Sequence, residues 1–229
     1  MSTTTSSQSR PLTLGVILYP GFELLDVFGP LEMFASVGRA RLVPHMVAER
    51  AGPVAAGTVA DGPAGPHVVA EFGFDDAPAL DLLLLPGGIG TFPELANEEL
   101  MTFLRERSRS AQITMSVCSG SALLAKSGVL DGHRATSNKQ FFSLATAQSA
   151  AVEWVEAARW VDDGAVVTSS GVSAGIDMAL AVIARLFGAD AAEQIAVGTE
   201  YTWHRDADVD PFVAYLNQLA PMADAIAKA

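Results

Sequence analysis

Apolar residues in this chain alternate between short continuous runs and stretches with helical spacing. Leu12–Tyr19 is a continuous apolar, β-favouring run closed by Pro20-Gly21, and it predicts a buried first strand. Leu24–Val37 carries apolar residues at helical spacing, with Pro30 inside it. Proline is best tolerated in a first turn, so the helix proper is expected to begin near Gly29–Pro30. Arg41–Ala48 predicts a second strand, and the Gly-, Ala- and Pro-rich stretch Gly52–Pro66 a loop with short antiparallel strands. Leu82–Leu85 is a run of leucines opening into Pro86-Gly87-Gly88-Ile89-Gly90, a buried strand ending in a glycine-rich turn. An amphipathic helix over Asn97–Ser110, a strand over Ile113–Val117 and a helix over Ser121–Ser127 closed by Gly128 follow. Ala165–Ser169 predicts another strand, Ile176–Phe187 and Ala189–Glu200 two helices, and Phe212–Lys228 a last amphipathic helix. Strands alternating with helices imply an α/β fold, a parallel sheet covered by helices on both faces.

Length and composition add limits. A chain of 229 residues, half hydrophobic and 17% charged, can bury a core without disulfides or structural metal. Residues 1–10 are polar and Ser/Thr-rich and are expected to form a disordered tail, with residues 11–229 as a single domain. The tail lacks the apolar core of a secretory signal, and no apolar run is long enough to span a bilayer. A net charge of −12 argues against nucleic acid and anionic membranes as partners. The single cysteine, Cys118, excludes an internal disulfide and suits a reducing cytoplasm.

Cys118 is also the main candidate for chemistry. It sits between the apolar run Ile113–Val117 and the small residues Ser119-Gly120-Ser121. That is the layout of a nucleophile elbow, a reactive side chain on a tight strand-to-helix turn. Lone cysteines are also common as small core hydrophobes, so the elbow carries the inference. Sites in such sheets form at the carboxyl ends of strands. Gly21–Pro30, Gly87–Gly90 and Cys118–Gly120 all follow apolar strands and are expected to converge. A thiolate attacks where a thiol does not, so the turn is expected to lower the Cys118 pKa. The Ser119 N–H, with one from Gly87 or Gly88, would face developing negative charge; alternatively the two glycines only make a tight turn. Asp26 lies among Leu24, Leu25, Val27 and Phe28, where a carboxylate needs a hydrogen bond or an unusual protonation state. A helix cap is its plainer role, and Glu23 and Glu32 compete with it. None of His45, His67, His133 and His204 lies beside the elbow in sequence, so a histidine base is not expected. Alternating Asp206, Asp208 and Asp210 lack the glycine and glutamate of a calcium loop, and no cofactor or metal is expected.

The segments Leu25–Pro30, Leu85–Gly90, Ser116–Ser121, Gly128–Thr136 and Ser173–Leu180 together resemble the DJ-1/PfpI superfamily, in family order, over about Leu12 to Tyr201. The resemblance implies a flavodoxin-like sheet with a cysteine elbow and a homodimer whose interface lies near the first helix. Within the family the chain is most similar to the isocyanide hydratase branch and to the amidotransferase-like domains of some transcription regulators. No helix-turn-helix follows the core, so a regulator of that kind is not expected. What the hydratase branch implies is attack of Cys118 on a small-molecule electrophile, an isocyanide. A thioimidate forms, and water then releases an N-substituted formamide. Asp26 would handle protons, and Ser119 would stand where the branch has threonine. Other members suggest a stress-response protein with an oxidisable cysteine, or a glyoxalase-like enzyme. The chain departs from relatives at Ser119, where proteases of the family have histidine, at Asn138, and at Trp203-His204. The last two segments are expected to line or cover the pocket.

Overall fold

The computed structural model describes residues 10–57 and 64–222. Along the chain run β1 (Leu12–Ile17), α1 (Leu24–Ala35), β2 (Leu42–Val47), β3 (Gly52–Ala55), β4 (His67–Ala70), β5 (Leu82–Leu85), α2 (Thr91–Glu94), α3 (Glu98–Ser110), β6 (Ile113–Ser116) and α4 (Gly120–Lys126). They are followed by β7 (Arg134–Ala135), α5 (Phe142–Thr146), β8 (Glu153–Trp154), β9 (Trp160–Asp163), β10 (Val166–Ser169), α6 (Ala174–Phe187) and α7 (Ala189–Gly198).

A six-stranded sheet has the order β2-β1-β5-β6-β10-β9. Its pairs are parallel except β10 with β9. The α/β architecture expected from the pattern is therefore present, with an antiparallel edge. The strands β5 and β6 are buried along their whole length, which is why β5 reads as an unbroken leucine run, while β6 also buries the hydroxyls of Thr114 and Ser116. Helices α1, α6 and α7 pack as one group, and α3, α4 and α5 as another. The expected hairpin is β3 against β4, antiparallel. A parallel pair, β7 with β8, stands apart from the main sheet. Among the described residues no helix is long and apolar enough to cross a membrane.

Three expectations need correction or completion. The first helix is continuous from Leu24, with Pro30 in its interior rather than its first turn. Tertiary packing outweighs the local penalty there. A Cβ on Gly29 would come within 2.7 Å of Ile176, and one on Gly175 within 3.1 Å of Pro30, so α1 and α6 meet closely at this point. The last helix expected over Phe212–Lys228 is interrupted: Pro211–Tyr215 is a 3-10 turn capped by the Asp210 side chain, and helix begins only at Ala220. Asn217, with φ of 57°, breaks the periodicity. Its amide bonds the Lys139 carbonyl at 2.8 Å, and its side chain accepts from the Ser143 amide at 2.6 Å. Residues 223–229 and residues 1–9 of the tail expected over residues 1–10 lie outside the described residues, as do residues 58–63 of the β3–β4 connection, whereas Arg10 pairs with Asp81 at 2.6 Å.

Candidate active site

Because β1, β5 and β6 are adjacent and parallel, the segments after them meet at one edge of the sheet. Cys118 follows β6 with φ of 60°, a left-handed conformation that a non-glycine residue holds only when its surroundings fix it. Those surroundings are explicit. The Val117 amide bonds the Leu85 carbonyl at 3.0 Å, and the Cys118 amide the Ser170 carbonyl at 3.1 Å. The Cys118 carbonyl accepts from the hydroxyls of Ser121 and Ser137 at 3.2 and 3.3 Å. A Cβ on Gly120 would lie 2.6 Å from the carbonyl oxygens of Leu85 and Pro86, so the turn has room only for glycine there.

Asp26, fully buried in α1, is not a helix cap. The cap position is Glu23, and the Asp26 Oδ2 instead accepts from the Gly87 amide at 2.8 Å. Its Oδ1 has no hydrogen-bond partner. Burial pushes the Asp26 carboxyl up to about 8, with the Glu23 charge adding to the effect, while the Gly87 amide and the nearby Cys118 thiol oppose it. The Cys118 thiol is pushed up as well, first by burial and then by the Asp26 charge. That is opposite to the expected lowering. The amides of Ser119 and Val172 and the side chain of Asn138 pull the other way.

The glycine-rich turn holds these groups. The Gly87 amide is engaged by Asp26, and the Gly88 amide by the Ser119 hydroxyl at 3.2 Å, so neither faces open space in this arrangement. A Cβ on Gly87 would stand 2.5 Å from the Ser119 nitrogen, which explains why a glycine is needed for β5 and the elbow to approach. The Ser119 hydroxyl also meets Thr91 Oγ1 at 2.9 Å. Thr91 in turn meets the Tyr19 hydroxyl at 3.1 Å, which donates to the Pro86 carbonyl at 2.7 Å. Asp26, Gly87, Gly88, Cys118 and Ser119 are thus brought together, whereas Glu32 lies on a different surface beside α7.

A cavity of about 130 Å³ opens over the elbow. Cys118, Ser119 and Gly88 reach it together with the apolar Ile89, Phe92, Phe141, Val172 and Leu219, and with Glu23, Asn138 and Gln140 at its polar margin. Phe92 and Phe141 meet edge to face, their centroids 5.9 Å apart. The arrangement presents the Cys118 sulfur to a small, largely apolar guest, while Asp26 stays fully buried and does not line the cavity.

Asn138 lines this cavity as expected, but Trp203-His204 does not. The His204 amide bonds Asp177 at 2.9 Å and its ring Nε2 meets the Val209 carbonyl at 3.1 Å. The C-terminal segment covers the cavity through Leu219 instead. Sequence reasoning did not find Thr91, Tyr19 or the contact from Asn138 Nδ2 to the Cys118 sulfur at 3.0 Å. The departure at Asn138 was the only available signal for the last of these.

The chain is similar to several known proteins. Isonitrile hydratase of Pseudomonas putida is 32% identical over 212 residues, 93% of this chain and 86% of that protein. Protein DJ-1 homolog B of Arabidopsis thaliana is 29% identical over 58% of this chain and 30% of its own length. A ThiJ/PfpI family protein of Pseudomonas syringae superposes with a TM-score of 0.77 and 28% identity, covering 98% of this chain and 93% of that one. The profile of the DJ-1/PfpI family matches residues 13–185, and the chain belongs to that family.

Proposed function

We propose that the protein is a cysteine-dependent enzyme that hydrates an isocyanide to an N-substituted formamide. The observation that carries this reading is an elbow cysteine beside a fully buried carboxyl, beneath a small, largely apolar cavity; burial pushes that carboxyl up to about 8. Similarity to isonitrile hydratase over most of both chains supports the choice of electrophile.

Cys118 and Asp26 titrate as a coupled pair, so the reactive form is the pair that has lost one proton. With the charge on sulfur and the proton on Asp26, the sulfur lone pair forms a C–S bond to the terminal isocyanide carbon. Asp26 gives its proton to that carbon, and a thioimidate results. Water then adds to the thioimidate carbon, and the nitrogen gains a proton. The C–S bond breaks, returning the electron pair to Cys118, and the hydroxyl proton returns to Asp26. The sum is one isocyanide and one water converted to one formamide. Ser119, held between Gly88 and Thr91, orients the water and relays protons. Gly87 and Gly88 hold Asp26 and Ser119 in place through their amides. No step draws on a metal or cofactor.

Formamide release from a simple alkyl isocyanide should be measurable with the purified protein. It should fall by several orders of magnitude in Cys118→Ala and Asp26→Ala. An inert wild type across a panel of isocyanides would end this reading. A stress-response reading predicts instead ready peroxide oxidation of Cys118 with no formamide release.

The lone cysteine suits a cytoplasmic protein. Leu25 and Phe28, both more than two-fifths exposed on α1, suit a homodimer interface. Light scattering should then return twice the mass of the 23.9 kDa chain, and the monomer mass would remove the dimer.

A further inference from the structure

Asn138 stands next to the reacting sulfur without belonging to the elbow. Its Nδ2 is 3.0 Å from Cys118 Sγ. The orientation of the amide is fixed from the other end: Oδ1 accepts from the backbone amides of Gln140 at 2.9 Å and Phe141 at 3.1 Å. A flipped amide would oppose its NH2 group to two N–H donors, so the NH2 group must face the sulfur. The space it occupies is reserved, since a Cβ on Gly171 would lie 2.7 Å from Nδ2.

The segment carrying Asn138 is anchored on the next residues as well. The Lys139 and Gln140 carbonyls accept from Asn217 and Leu219 at 2.8 and 3.1 Å. The Lys139 ammonium donates to Thr136 Oγ1 and to the Ala158 carbonyl at 2.8 and 2.7 Å. A donor held this firmly loses little on meeting a new charge.

We infer that Asn138 is the side-chain donor that stabilises the Cys118 thiolate, completing with the amides of Ser119 and Val172 a cradle of donors that do not titrate. Sulfur in this site therefore develops charge without a neighbouring imidazolium. Its ionisation follows its own pair with Asp26, and no histidine limb enters the pH profile. The inference depends on the hydratase reading only for the electrophile that meets the sulfur.

Thiol ionisation tests it without any isocyanide. The pH dependence of Cys118 alkylation by iodoacetamide, with thiolate absorbance as a second readout, is compared in wild type, Asn138→Asp and Asn138→Ala. Asn138→Asp keeps the oxygen that accepts from Gln140 and Phe141 but loses the donor to sulfur. Its thiol pKa should rise by at least about one unit, and its alkylation below that pKa should slow at least about tenfold. Asn138→Ala should shift the thiol in the same direction. If Asn138→Asp does not fold by circular dichroism, Asn138→Ala alone decides. A thiol pKa unchanged from wild type, even with slower alkylation, would reduce Asn138 to a structural residue and overturn the inference. A wild type inert toward isocyanides, with the Asn138-dependent shift intact, would defeat the hydratase reading and leave this one standing.

Discussion

Asp26 is the residue at which burial and chemistry meet. A fully buried carboxyl with one amide donor and one unpartnered oxygen is poorly compensated as an anion, so the folded protein retains its proton up to about 8. The unfolded chain releases that proton near 3.8. Between these values the folded state binds more protons than the unfolded state, so stability falls as pH rises through the window. The slope due to this one group approaches about 1.4 kcal/mol per pH unit. Urea denaturation at several pH values should show that decline in the wild type and a flatter profile in Asp26→Asn, which keeps an oxygen for the Gly87 amide. Parallel profiles would mean that Asp26 is ionised throughout. The residue was legible in sequence because four apolar neighbours flank a carboxylate. Asn138 was legible only as a departure, since its role rests on an amide orientation fixed by backbone groups that the fold brings to it.

Elements that are buried on both faces wrote themselves into the sequence most clearly. β5 is apolar throughout and β1 and β6 mostly so, and the small or turn-forming residues after them marked where the site would form. By contrast, β9 has two aspartates, and β7 and β8 are two-residue strands, so neither period nor length distinguished them from loops. Local geometry alone places the α1 start too late, because Pro30 is tolerated in the helix interior by a tertiary contact. The contact that overrides it, with α6, joins residues more than a hundred positions apart. That seam also supports the elbow. A Cβ on Gly175 would lie 2.8 Å from the side chain of Val117, the residue just before Cys118, and 3.1 Å from Pro30. Gly175→Ala should therefore destabilise the protein by about 1–3 kcal/mol through overpacking. It should also slow Cys118 alkylation or turnover, because the displacement reaches the elbow directly. Gly38→Ala is the strain-only comparison: nothing lies within 4 Å of that position, yet its φ is 93°. It should lose stability with no change at Cys118, and equal effects of both variants on the cysteine would separate the seam from the site.

At the scale of the whole molecule, a buried polar network ties the C-terminal segment across the sheet. Arg159, nearly buried, places Nε and an NH2 group 2.7 Å from Asp177 Oδ2. The other Asp177 oxygen accepts from the Tyr201 hydroxyl at 3.0 Å and the His204 amide at 2.9 Å. Arg159 also lies 3.7 Å from Asp210, which stands the same distance from Lys139. Lys139 is lowered to about 8, chiefly by burial. The network thus runs from α6 to the segment that delivers Leu219 to the cavity and to the residue beside Asn138. A buried pair of this kind contributes little over an apolar substitute, but breaking it leaves a charge without compensation. Arg159→Met should therefore cost about 3–5 kcal/mol, whereas Arg159→Met combined with Asp177→Leu should recover part of that loss. The asymmetry matters for function: loosening the segment uncovers Cys118, so a bulky maleimide should label Arg159→Met faster than wild type under conditions where both remain folded. A denaturation midpoint within error of wild type, together with unchanged labelling, would show that the buried ion pair plays no part in holding the C-terminal segment, leaving its bonds to Lys139, Gln140 and Ser143.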